Sequence, residues 1–76
     1  MINEYDKVIR EVLQLNDNID IKKLTYRDFS WDSVAHMVLM ATLEETFDIQ
    51  LETDDVIDFS SYEKGLEILR KYGVEL

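Results

Sequence analysis

Apolar residues recur along this chain three or four positions apart, which is the spacing of amphipathic helices, and no segment predicts a strand. The first such run predicts a helix over about residues 2–14, ended by the turn-forming sequence Asn16-Asp17-Asn18. Residues 15–32 are then expected to form a long connection. Four apolar side chains are expected to pin this connection to the core: Ile19, Ile21, Leu24 and Phe29.

The rest of the pattern predicts three more helices. The second covers Ser33 to Phe47, and a short third one covers Thr53 to about Asp58. Thr53 is the expected N-cap of the third helix, because its hydroxyl can accept a hydrogen bond from a free backbone N–H. The acidic residues Asp54, Asp55 and Asp58 are expected to form a solvated face of this helix.

The fourth predicted helix opens with a capping box, in which Ser60 is the cap and Glu63 follows three residues later. The helix continues to Tyr72 and ends at Gly73, a common C-terminal signal. Gly65 lies inside it at a cost of about 1 kcal/mol relative to alanine, so we expect a close approach of another helix there.

The second predicted helix has two apolar faces. At about 100° per residue, one face carries His36, Leu39, Met40, Leu43 and Phe47, and the opposite face carries Val34, Met37, Val38 and Ala41. One face must be core, and a thin domain leaves the other exposed as an interaction surface, which Glu44, Glu45 and Asp48 extend by one turn. The alternative is a central helix with both faces buried.

Length and composition restrict the possible functions. The 76 residues allow a single domain, 1–76, with one thin core. The absence of cysteine and the single histidine argue against disulfides and a structural zinc site. No apolar stretch is long enough for a membrane span, and none resembles a signal peptide, so a cytoplasmic protein is expected. The net charge of -9 disfavours nucleic acid and favours basic partner surfaces.

The sequence Trp31-Asp32-Ser33-Val34 places a serine at the start of the second helix. No base is available to activate it, because the only histidine, His36, follows in the same helix and is expected to be partly buried. With no oxyanion glycines or nucleophile elbow either, no catalytic residue is predicted and Ser33 is interpreted as an attachment point. A metal site is not predicted.

The acidic stretch that starts at Asp48 does not have the pattern of a calcium-binding loop. Its sixth position is Thr53 instead of glycine, and its twelfth is Phe59 instead of glutamate. Acidic residues in this part of the chain are therefore interpreted as surface charge.

The segment from Asp28 to Val34 resembles the prosthetic-group site of the acyl carrier proteins, whose Asp-Ser-Leu core carries 4'-phosphopantetheine on its serine. Residues 43–49, Leu-Glu-Glu-Thr-Phe-Asp-Ile, are similar to the end of that family's second helix. Ser60-Ser61-Tyr62 resembles the start of its last helix. The resemblance covers roughly residues 2–72.

The resemblance implies an all-α four-helix bundle with three longer helices and one short one. It implies a carrier, not an enzyme, that holds an acyl or aminoacyl group as a thioester on a 4'-phosphopantetheine arm on Ser33. The thiol would be the cofactor's, which explains how a chain without cysteine could carry a thioester. A phosphopantetheinyl transferase would load Ser33 from coenzyme A, with Asp32 beside the incoming phosphate and Val34 as a contact.

The resemblance also implies partner enzymes with basic and apolar docking surfaces. A monomer is expected, with a weak dimer as the open alternative. The residues expected to meet these partners are Trp31, Met37, Val38, Ala41, Glu44, Glu45 and Asp48. For Trp31, a place in the core is the open alternative.

Several residues depart from the family's usual pattern. Ser30 stands where glycine is usual, Trp31 is a large residue next to the serine, and Val38 and Ala35 occupy positions that are often acidic. These departures favour a dedicated carrier of a secondary, polyketide-like or surface-sugar pathway over the general carrier of fatty acid biosynthesis. The alternative function is an unmodified helical interaction module that binds partners through the exposed face of the second helix.

Overall fold

The computed structural model describes residues 2–76, and the regular structure in that range is helical. It comprises α1 (Ile2–Leu13), a short 3-10 helix (Ile21–Lys23), α2 (Ser33–Phe47), α3 (Thr53–Asp58) and α4 (Tyr62–Lys71). The predicted all-α bundle of three longer helices and one short helix is therefore confirmed. No helix in the described range has the length and apolar content needed to cross a membrane.

The core lies between the apolar faces of α1, α2 and α4 and includes side chains from the connections. Its largest fully buried side chains are Trp31, Tyr5 and Phe59. The Tyr5 hydroxyl donates a hydrogen bond to the Tyr62 carbonyl oxygen (2.8 Å), and its pKa is raised by burial. This bond ties α1 to the start of α4.

α1 ends at Leu13, one residue before the predicted bound. Gln14 adopts a left-handed conformation (φ 54°), and the N–H of Leu15 donates to the Arg10 carbonyl oxygen at 3.0 Å. This is the pattern of a Schellman-type helix end, which satisfies a terminal carbonyl. The sequence Asn16-Asp17-Asn18 thus follows the helix end.

The connection between α1 and α2 is anchored by three of the four expected residues. Ile21 and Leu24 are buried and Ile19 is partly buried against the core. The prediction for Phe29 was wrong, because its side chain is 68% exposed. Phe29 lies in a left-handed turn (φ 53°), so the chain reverses there.

Two backbone hydrogen bonds fasten this connection to the start of α4. The N–H of Tyr26 donates to the Ser60 carbonyl oxygen (2.8 Å), and the N–H of Tyr62 donates to the Leu24 carbonyl oxygen (3.0 Å). They flank an isolated antiparallel bridge between Thr25 and Ser61. As a result, the loop before α2 lies beside the junction of α3 and α4.

The caps of α3 and α4 differ from those predicted. The N-cap of α3 is Glu52, without a side-chain hydrogen bond, and Thr53 is already helical. The N-cap of α4 is Ser61, whose Oγ accepts from the Lys64 N–H at 2.9 Å, so the capping box on Ser60 and Glu63 was wrong. The bridge to Thr25 holds Ser61 in an extended conformation, and this moves the cap by one residue.

The end of α4 agrees with the sequence, whereas its interior differs in one respect. A Cβ atom at Gly65 would lie 2.3 Å from both the Phe59 ring and the Tyr5 hydroxyl, so a side chain there would clash. The expected approach of another helix is not what fills this space, because the close neighbours of Gly65 are the aromatic side chains of Phe59 and Tyr5. Gly73 has φ 89° and follows the helix as predicted.

α3 is held against α4 by a buried carboxylate. Lys71 Nζ donates to Asp55 Oδ1 (2.5 Å), and the Tyr72 hydroxyl donates to Asp55 Oδ2. The prediction of a solvated face was therefore wrong for Asp55, which is buried, whereas Asp54 and Asp58 are exposed. The bond from Lys71, with that from Tyr72, holds the pKa of Asp55 below its usual value.

Candidate functional site

The loop before α2 is a compact sequence of turns. The carboxylate of Asp28 accepts hydrogen bonds from the backbone N–H and the hydroxyl of Thr25 at 3.0 and 3.1 Å. The N–H of Trp31 donates to the Asp28 carbonyl oxygen, and the N–H of Arg27 donates to the Trp31 carbonyl oxygen. Ser30 Oγ donates to the Leu13 carbonyl oxygen, which attaches the loop to the end of α1. This loop sets the point where α2 begins.

Ser33 is the first residue of α2 and is exposed. Asp32 is the N-cap, and its Oδ1 accepts from the Ala35 N–H at 2.9 Å. Within residues 2–76 no hydrogen bond involves Ser33 Oγ. The first N–H groups of a helix have no partner within the helix, so those that the Asp32 cap leaves unbonded can stabilise an anion at this end. The serine hydroxyl is thus accessible and its surroundings suit a phosphodiester.

His36 does not act on Ser33, because both of its ring nitrogens are occupied. Trp31 Nε1–H donates to His36 Nδ1 (3.0 Å), and His36 Nε2 lies 2.8 Å from the Val56 carbonyl oxygen. An indole N–H can only donate and a carbonyl can only accept, so this arrangement requires the neutral His36 tautomer with its proton on Nε2. The prediction of a partly buried histidine is confirmed.

Trp31 is fully buried, at 0% exposure, so its assignment as a partner-binding residue was wrong. Its ring stacks with that of His36 at a centroid distance of 6.0 Å and meets the Phe59 ring edge-on at 6.3 Å. The aromatic side chain that this loop exposes is Phe29. The sequence places both aromatic residues in one polar loop, and only the turn geometry decides which of them faces the core.

The two faces of α2 are separated as predicted. Leu39, Met40 and Leu43 are buried, whereas Met37 and Val38 are 60% and 51% exposed. Val34 and Ala41 are exposed as well, so the alternative of two buried faces is wrong. Ala35 is partly buried and packs against the core, so it is not part of the exposed face.

The acidic residues at the end of α2 differ in their environment. Glu45 and Asp48 are exposed. Glu44 is partly buried, and its Oε2 accepts from the Leu51 N–H at 2.8 Å. Glu44 therefore orders the connection to α3 in addition to contributing charge. Asp48 ends the helix in a left-handed conformation.

A groove of about 370 Å³ begins at Ser33 and runs between α2 and α3. Its sides are mainly apolar, and they include Met37 from α2 and Ile57 from α3. Its lining residues are Tyr26, Ser33, His36, Met37, Val56, Ile57, Phe59 and Ser60. The contribution of Tyr26 and Ile57 could not be predicted from the sequence, because a six-residue helix and a loop position carry no periodic signal.

Comparison with known families agrees with this geometry. A family model described as "Phosphopantetheine attachment site" matches residues 7–64, and the chain belongs to this family of carrier proteins. A search of the curated proteins and a search of the solved structures gave no significant match. The carriers of this family bind 4'-phosphopantetheine covalently, so the cofactor expected from the sequence is confirmed.

Proposed function

We propose that Ser33 carries the 4'-phosphopantetheine arm, and that the protein presents an acyl or aminoacyl group on this arm to partner enzymes without being an enzyme itself. The observation that carries this proposal is the exposed Ser33 hydroxyl at the first position of α2, which makes no hydrogen bond within residues 2–76. Both nitrogens of His36 are bonded elsewhere, which argues against a hydrolase built on this serine.

Loading would transfer the phosphopantetheine group of coenzyme A to Ser33. A bond forms between Ser33 Oγ and the phosphorus atom, the adenosine bisphosphate of coenzyme A leaves, and the hydroxyl proton is released. The transferase supplies the catalytic groups for this step. The carboxylate of Asp32 stands one residue from the attacked position, and we propose that it lies near the transferase's metal ion, with Val34 as an apolar contact.

The exposed face of α2 is the proposed docking surface for partner enzymes. Met37, Val38 and Ala41 form its apolar part, and Glu45 and Asp48 form its acidic end. Apolar residues buried in a complex mainly slow its dissociation, whereas charges at the rim raise the association rate. Trp31 is not part of this surface, because its side chain is buried.

We further propose a single-domain, monomeric, cytoplasmic carrier dedicated to a small set of enzymes. Val38 gives the start of the docking surface an apolar residue where related carriers often have an acid. If the loaded protein supports chain elongation by general fatty acid enzymes as fast as a general fatty-acid carrier does, it is not a dedicated carrier.

The attachment site is tested by intact-mass measurement after co-expression with a broad-specificity phosphopantetheinyl transferase. The wild-type chain should gain the mass of one phosphopantetheine, and Ser33→Ala should gain none. Ser30→Ala is the matched control, because this serine lies three residues before Ser33 and its hydroxyl donates a hydrogen bond to the Leu13 carbonyl oxygen. It should be loaded like the wild type.

Two results would contradict this assignment. A mass gain that persists in Ser33→Ala would place the arm on another residue. No mass gain with several transferases would instead favour the alternative function, an unmodified interaction module that uses the exposed face of α2.

A further inference from the structure

The imidazole of His36 links parts of the molecule that are separate in the sequence. His36 lies in the first turn of α2, like Ser33, and its Nδ1 accepts from the indole N–H of Trp31 in the loop before that helix. Its Nε2–H donates to the carbonyl oxygen of Val56 in α3. One side chain therefore connects the loop, the start of α2 and the third helix.

The Val56 carbonyl belongs to the last turn of α3, where carbonyl oxygens have no partner within the helix. The imidazole supplies the missing donor. At its other side α3 is fastened to the end of α4 through Asp55, which binds Lys71 and Tyr72. Six residues are too few for a helix that is stable alone. We therefore expect α3 to turn away from α2 when the bond from His36 is lost, while the contacts of Asp55 keep it near α4.

The orientation of α3 matters at the attachment site. Ser33 and Met37 from α2 and Ile57 from α3 border the same groove, and the side chains of Met37 and Ile57 are exposed. An enzyme that covers Ser33 therefore also lies beside α3. If α3 is displaced, this enzyme meets a different surface, although the hydroxyl that it modifies is unchanged.

We propose that His36 is a positioning residue for the loading of Ser33, because its neutral imidazole holds α3 in the orientation that the phosphopantetheinyl transferase recognises. The proposal rests on the attachment of the arm to Ser33. The position requires one acceptor and one donor, since an indole N–H can only donate and a carbonyl oxygen can only accept. Glutamine offers both groups in one amide, whereas phenylalanine retains a ring but offers neither.

The first test uses NMR spectroscopy of the full-length wild-type protein at neutral pH, before loading. The chain contains one histidine and one tryptophan, so the imidazole and indole signals are unambiguous. We expect the nitrogen chemical shifts of His36 to report the tautomer with its proton on Nε2. The indole N–H of Trp31 should exchange with solvent more slowly than that of a free tryptophan side chain. The other tautomer, or an indole that exchanges as fast as a free one, overturns the proposal.

The second test measures loading kinetics with coenzyme A and a broad-specificity phosphopantetheinyl transferase. His36→Phe should raise the KM for the carrier by about twofold or more and leave kcat unchanged, because only a fraction of the free molecules would present α3 correctly. Amide protons of α3 should exchange about two- to tenfold faster, which is the effect of one lost hydrogen bond. His36→Gln should bring both quantities back towards the wild-type values.

Thr42→Val is the matched control, because it removes a side-chain hydrogen bond that lies within α2, from the Thr42 hydroxyl to the Val38 carbonyl oxygen. It should leave the KM and the exchange of α3 unchanged. If His36→Phe does not fold, His36→Asn replaces it with the same expectation, because its shorter amide cannot reach both partners of the imidazole.

An unchanged KM in the folded variant overturns the proposal, as does a KM for His36→Gln that is no lower than that of His36→Phe. Normal loading of every variant contradicts only the role of His36. Failure of the wild-type chain to gain the mass of the arm contradicts the proposed function itself, which distinguishes the two failures.

Discussion

Asp32 combines two roles that can be separated by substitution. Its carboxylate caps α2 by accepting the N–H of Ala35, and its charge stands next to Ser33. Asparagine caps helices about as well as aspartate, whereas alanine does not. The helix cap therefore requires an oxygen acceptor, but the proposed role towards the transferase requires the negative charge.

We predict that Asp32→Asn leaves stability nearly unchanged and that Asp32→Ala lowers the free energy of unfolding by about 0.5–2 kcal/mol. Both variants should be loaded with phosphopantetheine more slowly than the wild type. Urea unfolding and the time course of mass gain measure the two effects. Normal loading of Asp32→Asn would show that the charge is not needed.

At the scale of the element, α2 exposes one of its two apolar faces. A helix that is apolar on all sides is usually buried, but only one side of α2 packs against the core. Exposure of this apolar face to water is unfavourable, and packing within the domain does not remove it. An exposed apolar surface of this kind is typical of a binding site, which supports its proposed role in docking.

We predict that Met37→Ala changes the free energy of unfolding by less than about 0.5 kcal/mol, as is usual for surface positions. The complex with a partner enzyme should nevertheless dissociate faster. Leu39→Ala is the contrasting variant, because Leu39 is fully buried and its truncation should cost about 2–5 kcal/mol. Chemical unfolding and dissociation kinetics with the phosphopantetheinyl transferase measure these effects. An unchanged dissociation rate for Met37→Ala would exclude this residue from the interface.

At the scale of the whole molecule, the position of α3 depends on polar contacts with its neighbours. Its six residues are too few for a helix that is stable alone. His36 binds its backbone from α2, and Lys71 and Tyr72 bind Asp55 from the end of α4. Since α3 forms one side of the groove, these contacts also set the groove's shape.

We predict that Asp55→Asn lowers the free energy of unfolding at neutral pH, with Asp54→Asn as the matched control at an exposed neighbour. Folding lowers the pKa of Asp55 from its ordinary value of 3.8, chiefly through the hydrogen bond from Lys71. The stabilisation is therefore present above pH 3.8 and is lost as the pH falls through the lowered value. Urea unfolding between neutral and strongly acidic pH should show the wild type and Asp55→Asn converging. If the difference in the free energy of unfolding stayed constant with pH, the stabilisation would not come from the ionised Asp55 carboxylate.

The contact between Lys71 and Asp55 also stops stabilising the fold at strongly alkaline pH. The hydrogen bond to Asp55 raises the pKa of Lys71 above its ordinary value of 10.5. The contribution of the pair is complete below pH 10.5 and is lost as the pH rises through the raised value. The stabilising range of this contact thus extends from weakly acidic to alkaline pH.

The sequence alone determined the helices and the place of the candidate site. The bounds of α2, the position of Ser33 at its start and the separation of its apolar residues into two faces follow from local spacing. That the face with Met37 and Val38 is the exposed one was decided by the packing. Helical periodicity acts over a few residues, so the sequence carries this information directly. The family resemblance then added the cofactor, which no pattern of burial could indicate.

The tertiary structure decided which residues of the loops and caps face the core. Trp31 is buried and Phe29 is exposed because the loop turns at Phe29 and the indole of Trp31 finds its acceptor on His36. The cap of α4 moved to Ser61 because this residue is bridged to Thr25, which is distant in the sequence. The burial of Trp31 and the position of the α4 cap depend on contacts between separate elements. The same is true of the groove beside Ser33, because its lining residues come from α2, α3 and the segments that connect the helices.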